Sequence, residues 1–308
     1  ENRGCEAILL STWELLRQAV PNAKAVNSSF IDRRVSGEDY LDLPGMKHRC
    51  HPEPWSTQFL AWQWAKRIGR RKYNFERFLT RSDVVFSLGG DNYSLDYGSI
   101  NQFLDANARV LDAGKPLIIW GASVGPFSAD PTAETRVAEQ FQQVSLIVAR
   151  EQRTVDYLEG LGLGKKVVLL PDPAFSLPAV PVELPSVQEQ MIQRGAIGLN
   201  LSPLLARYRS GYRNWINDTA GWLETLMEVA DRPVLLIPHV FQPRNDDQEF
   251  MGEVRDRVGA PESELSLLNG RAMSSMEIKY VIGRLHAFIG ARTHATIAAI
   301  SQSVPTLS

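Results

Sequence analysis

From Asp83 onward, short apolar runs alternate with longer segments whose apolar positions recur at helical spacing: DVVFSLGG, SINQFLDANARVLDAG, KPLIIWGA, TAETRVAEQFQQ, SLIVA, REQRTVDYLEGLG and KVVLLPD. Continuous apolar runs suit strands covered on both faces, and their alternation with helices predicts a parallel sheet. The same alternation returns in AIGLNLSP, YRNWINDTAGWLETLMEVA, RPVLLIPH, DDQEFMGEVRDRVG, SELSLLNG, MSSMEIKYVIGRL, HAFIGA and THATIAAIS. Between the two series, Pro171, Pro173, Pro178, Pro181 and Pro185 rule out a continuous helix or central strand. The pattern therefore predicts an α/β protein of two Rossmann-like lobes with parallel sheets, in a GT-B-like arrangement. The boundaries read as a first lobe over 1–175, a Pro-rich linker over 176–190 and a second lobe over 191–308.

Two segments depart from the alternation. ENRGCEAILLSTWELLRQAV opens on a Gly-containing loop and places Ala7, Leu10, Trp13, Leu16 and Val20 at helical spacing. That opening implies a strand ahead of Glu1, and the closing VPTLS reads as the start of a further strand, so both lobes are expected to be trimmed. WSTQFLAWQWAKRIGRRKYNFERF reads as a helix followed by a basic patch of Lys66, Arg67, Arg70, Arg71 and Lys72. Such a patch is either an ordinary solvated face or a peripheral contact with anionic lipids.

Composition narrows the function classes. The 308 residues are 44% apolar and 22% charged, as expected of a folded chain long enough for two lobes. A net charge of -2 gives no global attraction for nucleic acid, so any anion site is local. Cys5 and Cys50, with no long apolar run and no signal-like start, point to a cytoplasmic protein. His48, Cys50 and His51 lack the second ligand pair of a zinc site, so no metal is expected.

Ligands of open parallel sheets bind beyond the carboxyl ends of the strands. Those positions hold Gly89, Gly90, Asp91 and Asn92 after the first strand, Gly121 and Ser123 after the second, and Arg150 after the third. The second series supplies Asn200 and Ser202, then His239, then Arg292 and His294. The glycines serve either tight turns or close backbone approach to a ligand. Arg150 is either a helix-start arginine or an anion contact. His239 is either bonded to a nearby loop or catalytic, with Asp246 and Asp247 placed to orient it. Asp172, between two prolines, reads as a structural residue that bonds local backbone.

In GARTHATIAAISQSVPTLS the period changes from strand to helix near Thr293, whose hydroxyl is the expected N-cap. His294 then sits at a helix N-terminus beside the fork of Arg292, where a carboxylate or phosphate is welcome. The helix dipole disfavours imidazolium there until an anion arrives.

The ordered set NRGCEAIL, SLGGDNYS, GASVGPF, VAREQRT, LPDPAF, LIPHV with NDD, EIKYVI and GARTHATIAAISQSVPTL resembles the polysaccharide pyruvyl transferase family nearly end to end. The resemblance implies transfer of the enolpyruvyl unit of phosphoenolpyruvate to a sugar of a surface or extracellular polysaccharide, giving a pyruvate ketal. It implies no cofactor beyond that donor and a glycan or lipid-linked oligosaccharide as acceptor. Arg292 would hold the donor anion, His294 would protonate its methylene carbon, and His239 would take a hydroxyl proton or bind phosphate. Arg150 and backbone near Gly89 or Gly121 would support phosphate departure. A GT-B sugar-nucleotide glycosyltransferase and a non-catalytic glycan- or anion-binding module are the rival readings.

Overall fold

The computed structural model describes residues 2–29, 45–50, 79–208, 212–243 and 245–308. The aromatic and basic segment over 55–78, with its proposed lipid patch, lies outside them, as does His51. Among the described residues, no helix is long and apolar enough to cross a membrane.

The chain opens with helix α1 (Arg3–Ala19) and a parallel strand pair, β1 (Ala25–Ser29) and β2 (Met46–Cys50). The regular alternation then begins with β3 (Val85–Leu88), α2 (Asn101–Asp112), β4 (Leu117–Ala122) and α3 (Pro131–Phe141). It continues through β5 (Leu146–Ala149), α4 (Gln152–Gly160) and β6 (Val167–Leu169). These four strands form a parallel sheet in the order β3-β4-β5-β6. Helix α3 begins where Asp130 accepts a hydrogen bond from the Ala133 N–H at 3.0 Å with Pro131 at its first position, a preorganised start. Its Ala133, Val137 and Phe141 then recur on one face and are buried in a core with Ile119, Ile147 and Phe127.

The second series comprises α5 (Ser186–Gln193), β7 (Ile197–Asn200), α6 (Tyr212–Ala230), β8 (Val234–Leu236), the short antiparallel pair β9 (Phe241–Gln242) and β10 (Asn245–Asp246), and α7 (Asp247–Val258). After it come β11 (Leu265–Leu267), α8 (Ser275–Ile282), β12 (Ala287–Gly290), α9 (Thr293–Ile300) and β13 (Thr306–Leu307). The order β11-β8-β7-β12-β13 is parallel throughout. Strand β8 illustrates why continuous apolar runs are needed, since successive side chains point to opposite faces. Val234 and Leu236 pack with Leu223, Phe250 and Val254, whereas Leu235 packs with Ile278, Phe288 and Ala299.

Two compact units result, one of Glu14–Pro173 and one of Ala174–Ser308 together with Glu1–Trp13. Glu1–Trp13 groups with Ala174–Ser308, and not with the residues that directly follow it. The start of α1 belongs to the second series because its polar groups find their partners there. The Arg3 N–H donates to the His239 carbonyl at 2.9 Å, and Asn2 forms a β-bridge with Val240. The Arg3 guanidinium is 1% exposed, pairs with Glu6 at 2.6 Å, and donates to the carbonyls of Gly270 and Arg271 at 3.3 and 3.0 Å. Glu6 in turn accepts from the Ser275 N–H at 2.8 Å and its hydroxyl at 3.1 Å, supporting the capping box of α8.

Removing one partner of a buried ion pair leaves the other charge uncompensated. Glu6→Ala is therefore expected to cost about 3–5 kcal/mol, read as a lower urea midpoint for the unit that contains α8.

Candidate functional site

In the Glu14–Pro173 unit, the residues after β3, β4 and β5 converge on Arg150. Its Nε donates to the Ser123 hydroxyl at 2.8 Å, Nη1 to Asp172 at 2.9 Å and Nη2 to Asp91 at 2.5 Å. Three donor nitrogens are thus committed, and the guanidinium side chain is 9% exposed. One cation faces two carboxylates, so the cluster carries net negative charge and an incoming anion would have to displace a carboxylate. Gly90 packs so closely on this guanidinium that a Cβ would collide with Nη1. Gly121, at φ +66, lies where a Cβ would come within 2.8 Å of Pro173, and a Cβ on Gly89 would overlap the Asn92 amide. Asn92 itself donates to the Leu88 carbonyl at 2.8 Å. Each of these glycines thus lies against a side chain of its own unit where a Cβ would not fit. Asp172, expected to bond local backbone, accepts from the guanidinium of Arg150, the residue that follows β5.

In the other unit, β7, β8 and β12 end together around a different arginine. The Asn200 amide is occupied at both ends, donating to the Ile237 carbonyl at 2.8 Å and accepting from the Arg292 N–H at 2.9 Å. The Ser202 hydroxyl accepts from the Leu204 N–H at 3.1 Å and shapes a 3-10 turn. These two residues hold strand ends in place. Arg292, not Thr293, occupies the N-cap position of α9, and no side chain caps that helix. Thr293 is already helical and exposed, and its carbonyl receives the Thr296 hydroxyl at 2.7 Å.

Arg292 turns back onto α7. Its Nη2 donates to Asp247 at 2.5 Å and to the Asn245 side chain at 2.7 Å, while Nε spans both Asp247 oxygens at 3.2 Å. Asp247 has 0% exposure and also accepts from the backbone N–H groups of His239 and Val240 at 3.1 and 3.0 Å. Burial pushes its carboxyl above the ordinary carboxylate range, while the Arg292 guanidinium and those N–H groups pull it back. Asp247 therefore orients the backbone of His239, not its imidazole, and Asp246 caps α7 through the Glu249 N–H. Among the described residues, nothing accepts a hydrogen bond from Nη1 of Arg292, which leaves that edge for a ligand.

His239 follows β8 and is 4% exposed, with its Nδ1 buried and without a hydrogen-bond partner among the described residues. Burial pushes the imidazole down to about 3, and the fields of His294, Arg3 and Arg292 add to the shift. His239 is therefore neutral near pH 7 in the empty protein. The same three fields make its surroundings favourable for an anion. His294 is half-buried in the first turn of α9, with its Nδ1 edge against Gly4 of α1.

The structure thus gathers His239, Arg292 and His294 in one unit and Arg150, Asp91 and Ser123 in the other. Sequence reasoning missed Arg3, Gly4, Glu6 and Asn245. A signal for Arg3 was present, because it shares the helical stripe of Ala7 and Leu10 and so had to be buried with partners.

No curated protein matches the chain. Among solved structures, UDP-GlcNAc 2-epimerase from Methanocaldococcus jannaschii is similar with TM-score 0.60 and 11% identity, over 97% of this chain and 79% of that one. A putative UDP-N-acetylglucosamine 2-epimerase from Listeria monocytogenes gives TM-score 0.65 and 10% identity, over 98% and 75%. Glycyrrhiza uralensis UGT73P12, complexed with glycyrrhetinic acid 3-O-monoglucuronide, gives 0.55 and 8%, over 99% and 74%. At these identities the likeness is one of fold, the parallel α/β, GT-B-like class expected from the sequence. The family model described as Polysaccharide pyruvyl transferase matches residues 2–308.

The depressed His239 carries a pH signature. The unfolded chain takes up this proton near 6.5, so its stabilising contribution is complete above that pH and falls as the pH drops toward about 3. Replacement by His239→Gln is expected to reduce the stability lost between pH 7 and pH 5 by about 2 kcal/mol, measured by urea unfolding of both proteins at each pH.

Proposed function

Because the chain belongs to the polysaccharide pyruvyl transferase family, we propose that it transfers the enolpyruvyl unit of phosphoenolpyruvate to two hydroxyls of one sugar in a surface or extracellular polysaccharide. The observation that carries this reading is the convergence of His239, Arg292 and His294 in the positive surroundings of one sheet's carboxyl edge.

In this reading, the free Nη1 edge of Arg292 and the uncapped start of α9 hold the donor's carboxylate or phosphate. Asp247 takes the other edge, so the guanidinium arrives oriented. His294 gives a proton to the donor methylene carbon, which becomes a methyl group, and positive charge develops on the neighbouring carbon. A sugar hydroxyl oxygen bonds to that carbon while its proton passes to His239, whose neutral imidazole is the form a base requires. The bound donor's negative charge raises the proton affinity of His239 from its low value in the empty protein. The carbon–oxygen bond to phosphate then breaks and the second hydroxyl oxygen closes the ketal, its proton leaving on the phosphate as hydrogen phosphate, while His239 returns its proton to solvent and His294 regains one from it. No cofactor or metal enters this balance. A glycan or lipid-linked oligosaccharide is the acceptor, and the reaction belongs on the cytoplasmic side, where the basic residues Lys66, Arg67, Arg70, Arg71 and Lys72 are suited to an anionic lipid surface. Arg150, with Asp91 and Ser123, supports the fold of its own unit in this scheme.

The protein incubated with an acceptor panel is expected to release phosphate from phosphoenolpyruvate and to leave UDP-sugars intact. Turnover with a UDP-sugar alone would replace the reading by glycosyl transfer, and donor binding without acceptor-dependent phosphate release would make the protein a binding module.

His294→Ala is expected to lower kcat by about 10²–10⁴-fold with a smaller change in KM. Arg292→Lys, which loses the planar fork, is expected mainly to raise the donor KM. Steady-state kinetics of phosphate release check both.

A further inference from the structure

We infer that Gly4 is a positioning residue for His294, so that the buried face of the first turn of α1 bears on the reaction site in its unit. The inference rests on the role given to His294 above. An ideal Cβ on Gly4 would lie 2.5 Å from Nδ1 and 2.7 Å from Cγ of His294, distances that real Cβ atoms essentially never show, and 3.0 Å from its Cβ. The bare Cα is what allows the imidazole to occupy its place at the start of α9.

The turn that carries Gly4 is held from several sides, so a Cβ there would move the ring and not the helix. The Arg3 N–H is bonded to the His239 carbonyl, the Arg3 guanidinium to two carbonyls and across the Phe241 ring at 5.3 Å, and Glu6 to the start of α8. Asn2 closes the turn from the front, its side chain accepting from the Gly4 and Cys5 N–H groups at 2.9 and 3.3 Å. The bond to His239 adds a consequence: one short segment supports both histidines, His239 through its carbonyl and His294 through its ring.

Helical propensity gives no reason for glycine at this place. The backbone of Gly4 is helical and has no positive φ, a setting in which alanine is the more stable residue. The close approach of His294 supplies the reason. It also separates activity from stability, because Gly4→Ala improves helix propensity while displacing the ring.

The test uses the whole chain and two readouts. Phosphate release from phosphoenolpyruvate is followed with a panel of p-nitrophenyl hexosides, and the five histidines are observed by ¹H–¹³C spectra after ¹³C-histidine labelling. Gly4→Ala is expected to lower kcat at least tenfold, with KM changing less than threefold, and to shift the His294 imidazole resonance. Cys5→Ala, on the exposed side of the same turn, is expected to leave both unchanged. In a His294→Ala background, Gly4→Ala is expected to have no further effect. Wild-type kcat and an unshifted His294 signal in Gly4→Ala would overturn the inference, as would an equal loss in both backgrounds. Full activity of His294→Ala would overturn the functional reading and this inference together, whereas loss in that variant with none in Gly4→Ala overturns this inference alone.

Discussion

The ion pair between Asp247 and Arg292 is the constraint on which the proposed site depends. A carboxylate with no solvent exposure carries a desolvation penalty of several kcal/mol unless its oxygens are well occupied. Here the occupants are a guanidinium from the end of β12 and the two backbone N–H groups that follow β8. Satisfying one carboxylate therefore fastens two strand exits to each other. His239 and Arg292 cannot drift apart without exposing an uncompensated buried charge, and His294 follows Arg292 by two residues. The geometry of the site is in this sense a by-product of meeting an electrostatic requirement.

Arg150 shows how the same residue type in an equivalent place acquires a different part. Both arginines follow a parallel strand. Arg150 meets two carboxylates and a hydroxyl, while Arg292 meets one carboxylate and an amide that reach only two of its nitrogens. The difference in remaining donor capacity and net charge comes from partners at long range, 59 residues away for Asp91 and 45 for Asp247. Spacing along the chain carries no trace of it. This is why the strand-end position of both residues was legible while their partners were not.

Much else was legible for a reason. Strands covered on both faces have to be continuously apolar, and VFSL, LIIWGA, LIVA, IGLN and VLL are recognisable on that ground alone. The five prolines from Pro171 to Pro185 were visible as a stretch without long helix or central strand because proline removes backbone donors. The cap of α9 was misplaced by one residue, since Thr293 has the chemistry of a cap but Asn200 draws the Arg292 backbone into that position instead. The home of the first residues was not legible, because Arg3 and Glu6 find their partners far along the chain. Their presence on an otherwise apolar stripe did announce that partners existed.

The discontinuity of that unit bears on how the protein is made. Arg3 reaches across 267 residues to Gly270, and Glu6 across 269 to Ser275. At ribosomal rates of about 5–20 residues per second, the start of α1 waits roughly 15–55 s before these groups emerge. During that interval the Arg3 and Glu6 side chains have each other but neither Gly270, Arg271 nor Ser275. The Glu14–Pro173 unit has its whole sequence well before then and can complete its sheet first. The start of α1 is therefore seated only once Gly270 and Ser275 have followed it, and the arrangement of His239, His294 and Gly4 dates from that event.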